Sequence, residues 1–124
     1  MCHLGVQFGG DEVVKAKDGL GSATLSMAWA GFRFAEKLIK ALKGETGIVE
    51  PSYVYLSGVP GGEEILKITG CDFFSVPIVL GKNGAEKAIN VVSETNDYEK
   101  KLLEAAYKGL GGNISKGVEF AQAK

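Results

Sequence analysis

The residues of this chain that could do chemistry are few. A single histidine, His3, stands beside the start. A histidine acting as general base needs an orienting partner and a packed pocket, so His3 is expected to be a loose residue with no catalytic part. Cys2 and Cys71 stand far apart. With one histidine they do not make the set of about four ligands that zinc requires, and they suggest free thiols in a reducing compartment rather than a disulfide framework. No Gly-x-Ser-x-Gly elbow and no phosphate-binding Walker loop is present. Asn113-Ile114-Ser115 fits the glycosylation acceptor pattern, a pattern common by chance and given no weight here.

One stretch carries more information. Gly19-Leu20-Gly21-Ser22-Ala23-Thr24 resembles the opening of a dinucleotide fingerprint. It lacks the third glycine, and the segment before it reads as helix, whereas the fingerprint needs a strand feeding the loop. The simpler reading is a glycine hinge, Gly19 and Gly21, joining two helices. Ser22, Ala23 and Thr24 are then expected in the first turn of the second helix. Unpaired N–H groups and the positive end of the dipole favour a small anionic ligand there, and small side chains leave it room. Met27, one turn on, offers a soft surface suited to a flat ring, although ordinary core packing is the better explanation of that residue taken alone.

The elements that must carry these residues follow from pattern. Asp11 to Lys17 is expected to be a short helix stopped at Gly19. Ser22 is expected to cap a helix from Ala23 to Lys43, with an apolar stripe of Leu25, Ala28, Trp29, Phe32, Ala35, Ile39 and Leu42. Arg33, Glu36, Lys37, Lys40 and Lys43 load the other side, and Gly44 can end the helix. Ile48 to Leu56 reads as a strand, with Pro51 demanding an edge or a bulge. Pro60-Gly61-Gly62 is a turn, and Glu63 to Ile68 a short helix. Phe73 to Leu80 and Ala85 to Val92 read as strands joined through Gly81-Lys82-Asn83-Gly84, where Asn-Gly is a hairpin signal. A last helix starts near Asn96, with Glu99 completing a capping box. Its expected face is Tyr98, Leu102, Ala106 and Leu110, continued by Ile114, Val118 and Ala121, and Gly109 and Gly111-Gly112 are expected to bend or break it.

Two helices, a small antiparallel sheet and a long helix make an α+β arrangement. With 124 residues and 45% hydrophobic composition, one core is affordable and no internal boundary stands out. The 18 glycines, about twice the usual share, group as Gly9-Gly10, Gly19 and Gly21, Gly61-Gly62, Gly81 and Gly84, and Gly111-Gly112, and suggest tight turns. A net charge of −1 without a basic stripe gives nucleic-acid binding no support. No apolar run reaches the about 18 residues of a membrane span, and the first residues do not resemble a targeting segment.

Glu12-Val13-Val14-Lys15-Ala16-Lys17 followed by Gly19-Leu20-Gly21-Ser22-Ala23-Thr24-Leu25-Ser26-Met27-Ala28 is similar to the signature stretch of mitochondrial-type, NAD-dependent malate dehydrogenases. Gly47-Ile48-Val49-Glu50, Phe73-Phe74-Ser75-Val76-Pro77 and Leu80-Gly81-Lys82-Asn83-Gly84 extend the similarity, which runs from about Val6 to the end. Gly58-Val59-Pro60-Gly61-Gly62 resembles the fungal mitochondrial branch. The resemblance implies that residues 1–124 are the substrate-side, carboxyl-terminal domain of an oxidoreductase that converts malate and NAD to oxaloacetate and NADH. It implies Ser22 and Ala23 facing substrate, Met27 near the nicotinamide, Gly19 and Gly21 as the hinge, and a homodimer or larger oligomer. It implies the mitochondrial matrix, with cytoplasm or peroxisome as alternatives. The NAD-binding Rossmann domain, the substrate arginines and the catalytic Asp–His pair of that family have no counterpart here, and His3 does not align with the family histidine. The chain alone is therefore expected to be inactive. The competing reading is a non-catalytic module that associates with its own copy through its helices.

Overall fold

The computed structural model describes residues 2–123, with the side chains of residues 2–4, 6 and 7 outside the description. The chain forms two compact units, Met1–Glu36 and Lys37–Lys124.

The first unit is a helix pair. Helix α1 runs Cys2–Ala16 and α2 starts at Thr24, extending to Leu42. The short helix expected from Asp11 is thus part of a longer one that passes through Gly9-Gly10 without a turn. At Gly10 a β-carbon would sit 3.9 Å from the Ala23 methyl, so a small residue faces the entry to α2.

Both helices stop in the same way. At α1 the Gly19 amide donates to the Val14 carbonyl (3.0 Å) and the Asp18 amide to the Lys15 carbonyl (3.1 Å). At α2 the Glu45 amide donates to Lys40 (3.1 Å) and the Gly44 amide to Ala41 (2.8 Å). These are paired Schellman bonds, which need a left-handed residue just past the helix. Gly44 (φ 101°) supplies it at α2, and Asp18 (φ 51°) at α1. Asp18 is the only non-glycine residue at positive φ among those described. Gly44 therefore ends α2 as its sequence suggests.

The second unit is built on a three-stranded antiparallel sheet in the order β1-β2-β3, with β1 Ile48–Tyr55, β2 Phe73–Gly81 and β3 Gly84–Ala88. Register places Ile48 opposite Leu80, Glu50 opposite Ile78, Ser52 opposite Val76 and Val54 opposite Phe74. That face carries the core: Ile48, Phe74, Val76, Ile78 and Leu80 are buried, with Leu56, Val59, Ile65, Cys71, Ala88 and Val92. Helix α3, Gly62–Thr69, contributes Ile65 to this core and packs on the single 3₁₀ turns Leu56–Gly58 and Val92–Glu94. The opposite face shows Val49, Tyr53 and Tyr55 to solvent, with Phe73 stacked between the tyrosines.

Pro51 lies on edge strand β1, as its missing N–H requires, and is paired with Pro77. Neither residue can donate, so the pair occupies a rung that uses no hydrogen bond between the two strands. Pro77 still accepts from the Ile89 amide at 2.9 Å.

Strand β3 is shorter than the expected Ala85–Val92. The Asn90 side chain accepts from the amides of Val92 and Ser93, an Asx turn that competes with the ladder. The hairpin also differs in detail. Gly81 pairs with Gly84, and only Gly84 (φ 89°) is left-handed. A type I′ turn centred on Asn-Gly would need positive φ at Asn83 as well, and Asn83 does not have it.

Helix α4, Asp97–Gln122, opens with the expected capping box. Asn96 accepts from the amides of Tyr98 and Glu99 (both 3.0 Å), and Glu99 accepts from the Asn96 amide (2.9 Å). The helix runs unbroken through Gly109 and Gly111-Gly112. Nothing crowds those glycines, and the helix tolerates them at a cost in propensity. The packed stripe is Leu103, Tyr107, Leu110 and Ile114, shifted from the expected one; Tyr98 and Leu102 are exposed. Tyr107 meets the Phe74 ring edge-on at 5.6 Å.

Candidate functional site

The hinge is built from the end of α1 outward. After the Schellman turn, Leu20 donates to the Lys17 carbonyl (2.9 Å). Gly19 (φ 75°) and Gly21 (φ 82°) then take left-handed conformations, which cost glycine little and other residues more. The chain reverses within these few residues and delivers Ser22 and Ala23 to the mouth of α2.

Ser22 and Ala23 precede α2 rather than forming its first turn; Thr24 is the first helical residue. The left-handed Gly21 does not by itself set this start, since α3 begins at Gly62 directly after left-handed Gly61. Ser22 is held through its carbonyl, which accepts from Lys17 Nζ at 3.2 Å. No acidic residue occupies the first turn of α2, leaving the positive end of its dipole uncompensated by its own side chains.

An open groove of about 510 Å³ lies beside this tip, lined by Val13, Lys17, Ser22, Ala23, Leu25, Ser26 and Trp29. It unites Ser22 and Ala23 with residues on which sequence reasoning placed no role: Lys17, Ser26 and Trp29. The spacing of Ser26 and Trp29 puts both on one face of α2, a signal that was available in the sequence. Met27 does not line the groove, yet it is 67% exposed, so it is not a packed core residue. The expected stripe on α2 is also largely open: Leu25 is 86% exposed, and Trp29 and Phe32, stacked at 5.6 Å, are more than half exposed. The residues of α2 that are covered are Phe34, Lys37, Leu38, Lys40 and Ala41; the apolar ones each lie one position before the expected Ala35, Ile39 and Leu42.

Among the described residues no cluster of His, Cys, Asp and Glu could hold a metal ion, and no helix is long and apolar enough to cross a membrane. The His3 side chain lies outside the described residues.

Perturbed acids occur only away from the hinge. Burial pushes the Cys71 thiol up, helped by the charge of Asp72. Burial also raises the Tyr107 phenol, with Cys71 and Glu104 adding to it. Cys71 Sγ lies 4.0 Å from the Tyr107 carbonyl, inside the packing of β2 against α4. The arrangement suits a structural thiol rather than a nucleophile, which needs a lowered pKa and access. A second open groove, about 440 Å³, runs between Tyr53 and Phe73 and the last turns of α4. It includes Asn113, so the glycosylation pattern falls within a helix.

A helix, a glycine reversal and a second helix, followed by a small antiparallel sheet and a long terminal helix, define an α+β domain that presents a helix tip. Residues 3–121 match the lactate/malate dehydrogenase α/β C-terminal domain, and the chain belongs to that family. Within it, the chain is 44% identical over 119 residues to the mitochondrial malate dehydrogenase of Saccharomyces cerevisiae, covering 96% of this chain and 33% of that protein. It is 47% identical over 115 residues to the mitochondrial malate dehydrogenase of Schizosaccharomyces pombe, covering 93% of this chain and 31% of that protein. The peroxisomal malate dehydrogenase of Saccharomyces cerevisiae is 43% identical over 122 residues, 93% of this chain and 35% of that protein. The chain thus corresponds to the C-terminal domain of malate dehydrogenases and spans about a third of the length of these relatives.

Proposed function

We propose that this chain supplies the substrate-side wall of an NAD-dependent malate dehydrogenase, the catalytic groups coming from polypeptide that this sequence does not contain. The observation that carries the reading is the exposed tip of α2: Ser22 and Ala23 stand at a groove mouth, with no acidic side chain in the first turn. A dicarboxylate is favoured beside such a helix start, because its charge meets the positive dipole end and free N–H groups. Ser22 and Ala23 leave it space, and the Gly19–Gly21 hinge sets their approach. Exposed Met27 fits a nicotinamide, giving a flat ring a polarisable surface. NAD, when bound, would take the hydride from malate and return it to oxaloacetate.

Malate oxidation also needs a base for the hydroxyl proton and cationic groups for the carboxylates. The one histidine is His3, which does not align with the histidine of the family, so the isolated chain is inactive in this reading. Its relatives point to mitochondria as the compartment. Open Leu25, Trp29 and Phe32 on α2 favour burial against another chain, because exposed apolar patches of this kind mark interaction surfaces. That surface is also what the alternative reading, a self-associating module without catalysis, would use.

The test joins the chain to the amino-terminal two thirds of the Saccharomyces cerevisiae mitochondrial relative and follows malate-dependent NAD reduction. The reading expects turnover from the chimera and none from the 124-residue chain. A folded chimera without turnover, alongside a chain that sediments as a discrete oligomer, would favour the module.

A further inference from the structure

We infer that Lys17 is a positioning residue: its ammonium straps the glycine hinge and thereby fixes Ser22 and Ala23 at the mouth of α2. This rests on the reading of the tip as the substrate wall.

One side-chain bond carries it, and the position of the same ammonium over Gly21 and a main-chain bond of Lys17 accompany it. Lys17 Nζ donates to the Ser22 carbonyl across five positions of sequence, at 3.2 Å. A β-carbon placed on Gly21 would lie 3.4 Å from the same Nζ, so the exposed side chain lies along the hinge. The Lys17 carbonyl accepts from Leu20 at 2.9 Å, so one residue holds the loop from both its main chain and its side chain. The segment it spans contains Gly19 and Gly21, both left-handed. Glycines lose the most freedom on ordering, so this loop is where a clamp has most effect. Without it, the backbone keeps its Schellman turn at α1 but has nothing beyond Gly21 to hold Ser22 against the preceding helix.

The strap acts on geometry and touches no reacting atom. Its loss lowers the fraction of molecules whose tip is ready to bind, and apparent affinity falls by that fraction. Once substrate is bound the tip is ordered by the ligand, so turnover at saturation is kept. The signature is therefore a KM effect with kcat preserved.

The experiment uses Lys17→Met, which keeps the stem and removes the donor, and Lys17→Arg, which restores a cationic donor. In the 124-residue chain, amide exchange at Gly21 and Ala23 is read by NMR, with the Gly19 amide, held by the Schellman turn, as the unchanged internal reference. We expect faster exchange in Lys17→Met and near wild-type exchange in Lys17→Arg, with α4 amides unchanged in both. In the chimera, Lys17→Met raises KM for oxaloacetate roughly threefold to tenfold with kcat within about twofold, and Lys17→Arg recovers most of it. Unchanged exchange in Lys17→Met overturns the strap. A fall in kcat at constant KM, or an unchanged KM with a loosened loop, overturns its positioning role. A folded chimera that is silent even with Lys17 in place refutes the substrate-wall reading instead, and the exchange data then decide the strap alone.

Discussion

Two glycine-to-alanine changes in this chain should move stability in opposite directions, for reasons visible in the backbone. Gly62 opens α3 and is buried. A β-carbon there would overlap the carbonyl oxygen, carbonyl carbon and Cα of Leu56. Those atoms are main chain, and the Leu56 side chain above them is fully buried, so no flexible group can yield. The 3₁₀ turn must move away from α3, loosening Leu56 and Ile65 together. Overpacking of this kind costs about 1–3 kcal/mol, and partial loss of Leu56 packing adds to it. The gain in helix propensity returns no more than about 1 kcal/mol, so Gly62→Ala should lose about 2–3 kcal/mol in all. Gly109 is the control. It lies in the middle of α4 with nothing within 4 Å of a β-carbon, so Gly109→Ala should gain about 0.5–1 kcal/mol. Urea unfolding followed by far-UV circular dichroism resolves the pair: with an m-value of about 1–3 kcal/mol/M, Gly62→Ala shifts the midpoint down by roughly 1 M and Gly109→Ala shifts it up by a few tenths. A neutral Gly62→Ala, or a destabilising Gly109→Ala, would refute the steric argument.

Asn96→Ala removes the acceptor for the amides of Tyr98 and Glu99 and should cost about 1 kcal/mol, with faster amide exchange confined to the first turn of α4; equal exchange in wild type and variant would count against the capping box. Stability should also fall at alkaline pH. Cys71 and Tyr107 both hold their protons more tightly in the folded chain, so this contribution is complete at neutral pH and is lost as pH rises past the ordinary thiol value of 9.0. Urea midpoints at pH 7 and at successive steps above that value measure it, with Cys71→Ala expected to flatten the slope; a midpoint that rises with pH contradicts the sign.

The elements legible in the sequence were those whose signals are local. The Asn96–Glu99 capping box, the end of α2 at Gly44 and the edge position of Pro51 each follow from one residue's hydrogen-bonding capacity. What the sequence hid depends on neighbours. Gly9 and Gly10 read as a turn, but Gly10 faces Ala23, where a small residue suits a close approach. Val91 and Val92 extend an apolar run, but the Asn90 side chain captures the next amides and the strand stops. On α2 the apolar period was right and the face was wrong, while on α4 Leu110 and Ile114 of the expected face are covered and the rest is not, because both helices are apolar around more than one side and only packing selects which side is covered. At the hinge, glycine spacing announced the reversal. It did not reveal that Ser22 and Ala23 stay outside the helix, which opens at Thr24.

The proline pair also bears on how copies of this chain can meet. On a rung where β1 and β2 exchange no bonds, the main-chain groups of β1 point outward from the sheet. Pro51 therefore places a missing donor at the middle of the free border of β1. An incoming strand would find its ladder interrupted there, the kind of block that discourages cross-β growth. Pairing of strands across this border is thereby disfavoured.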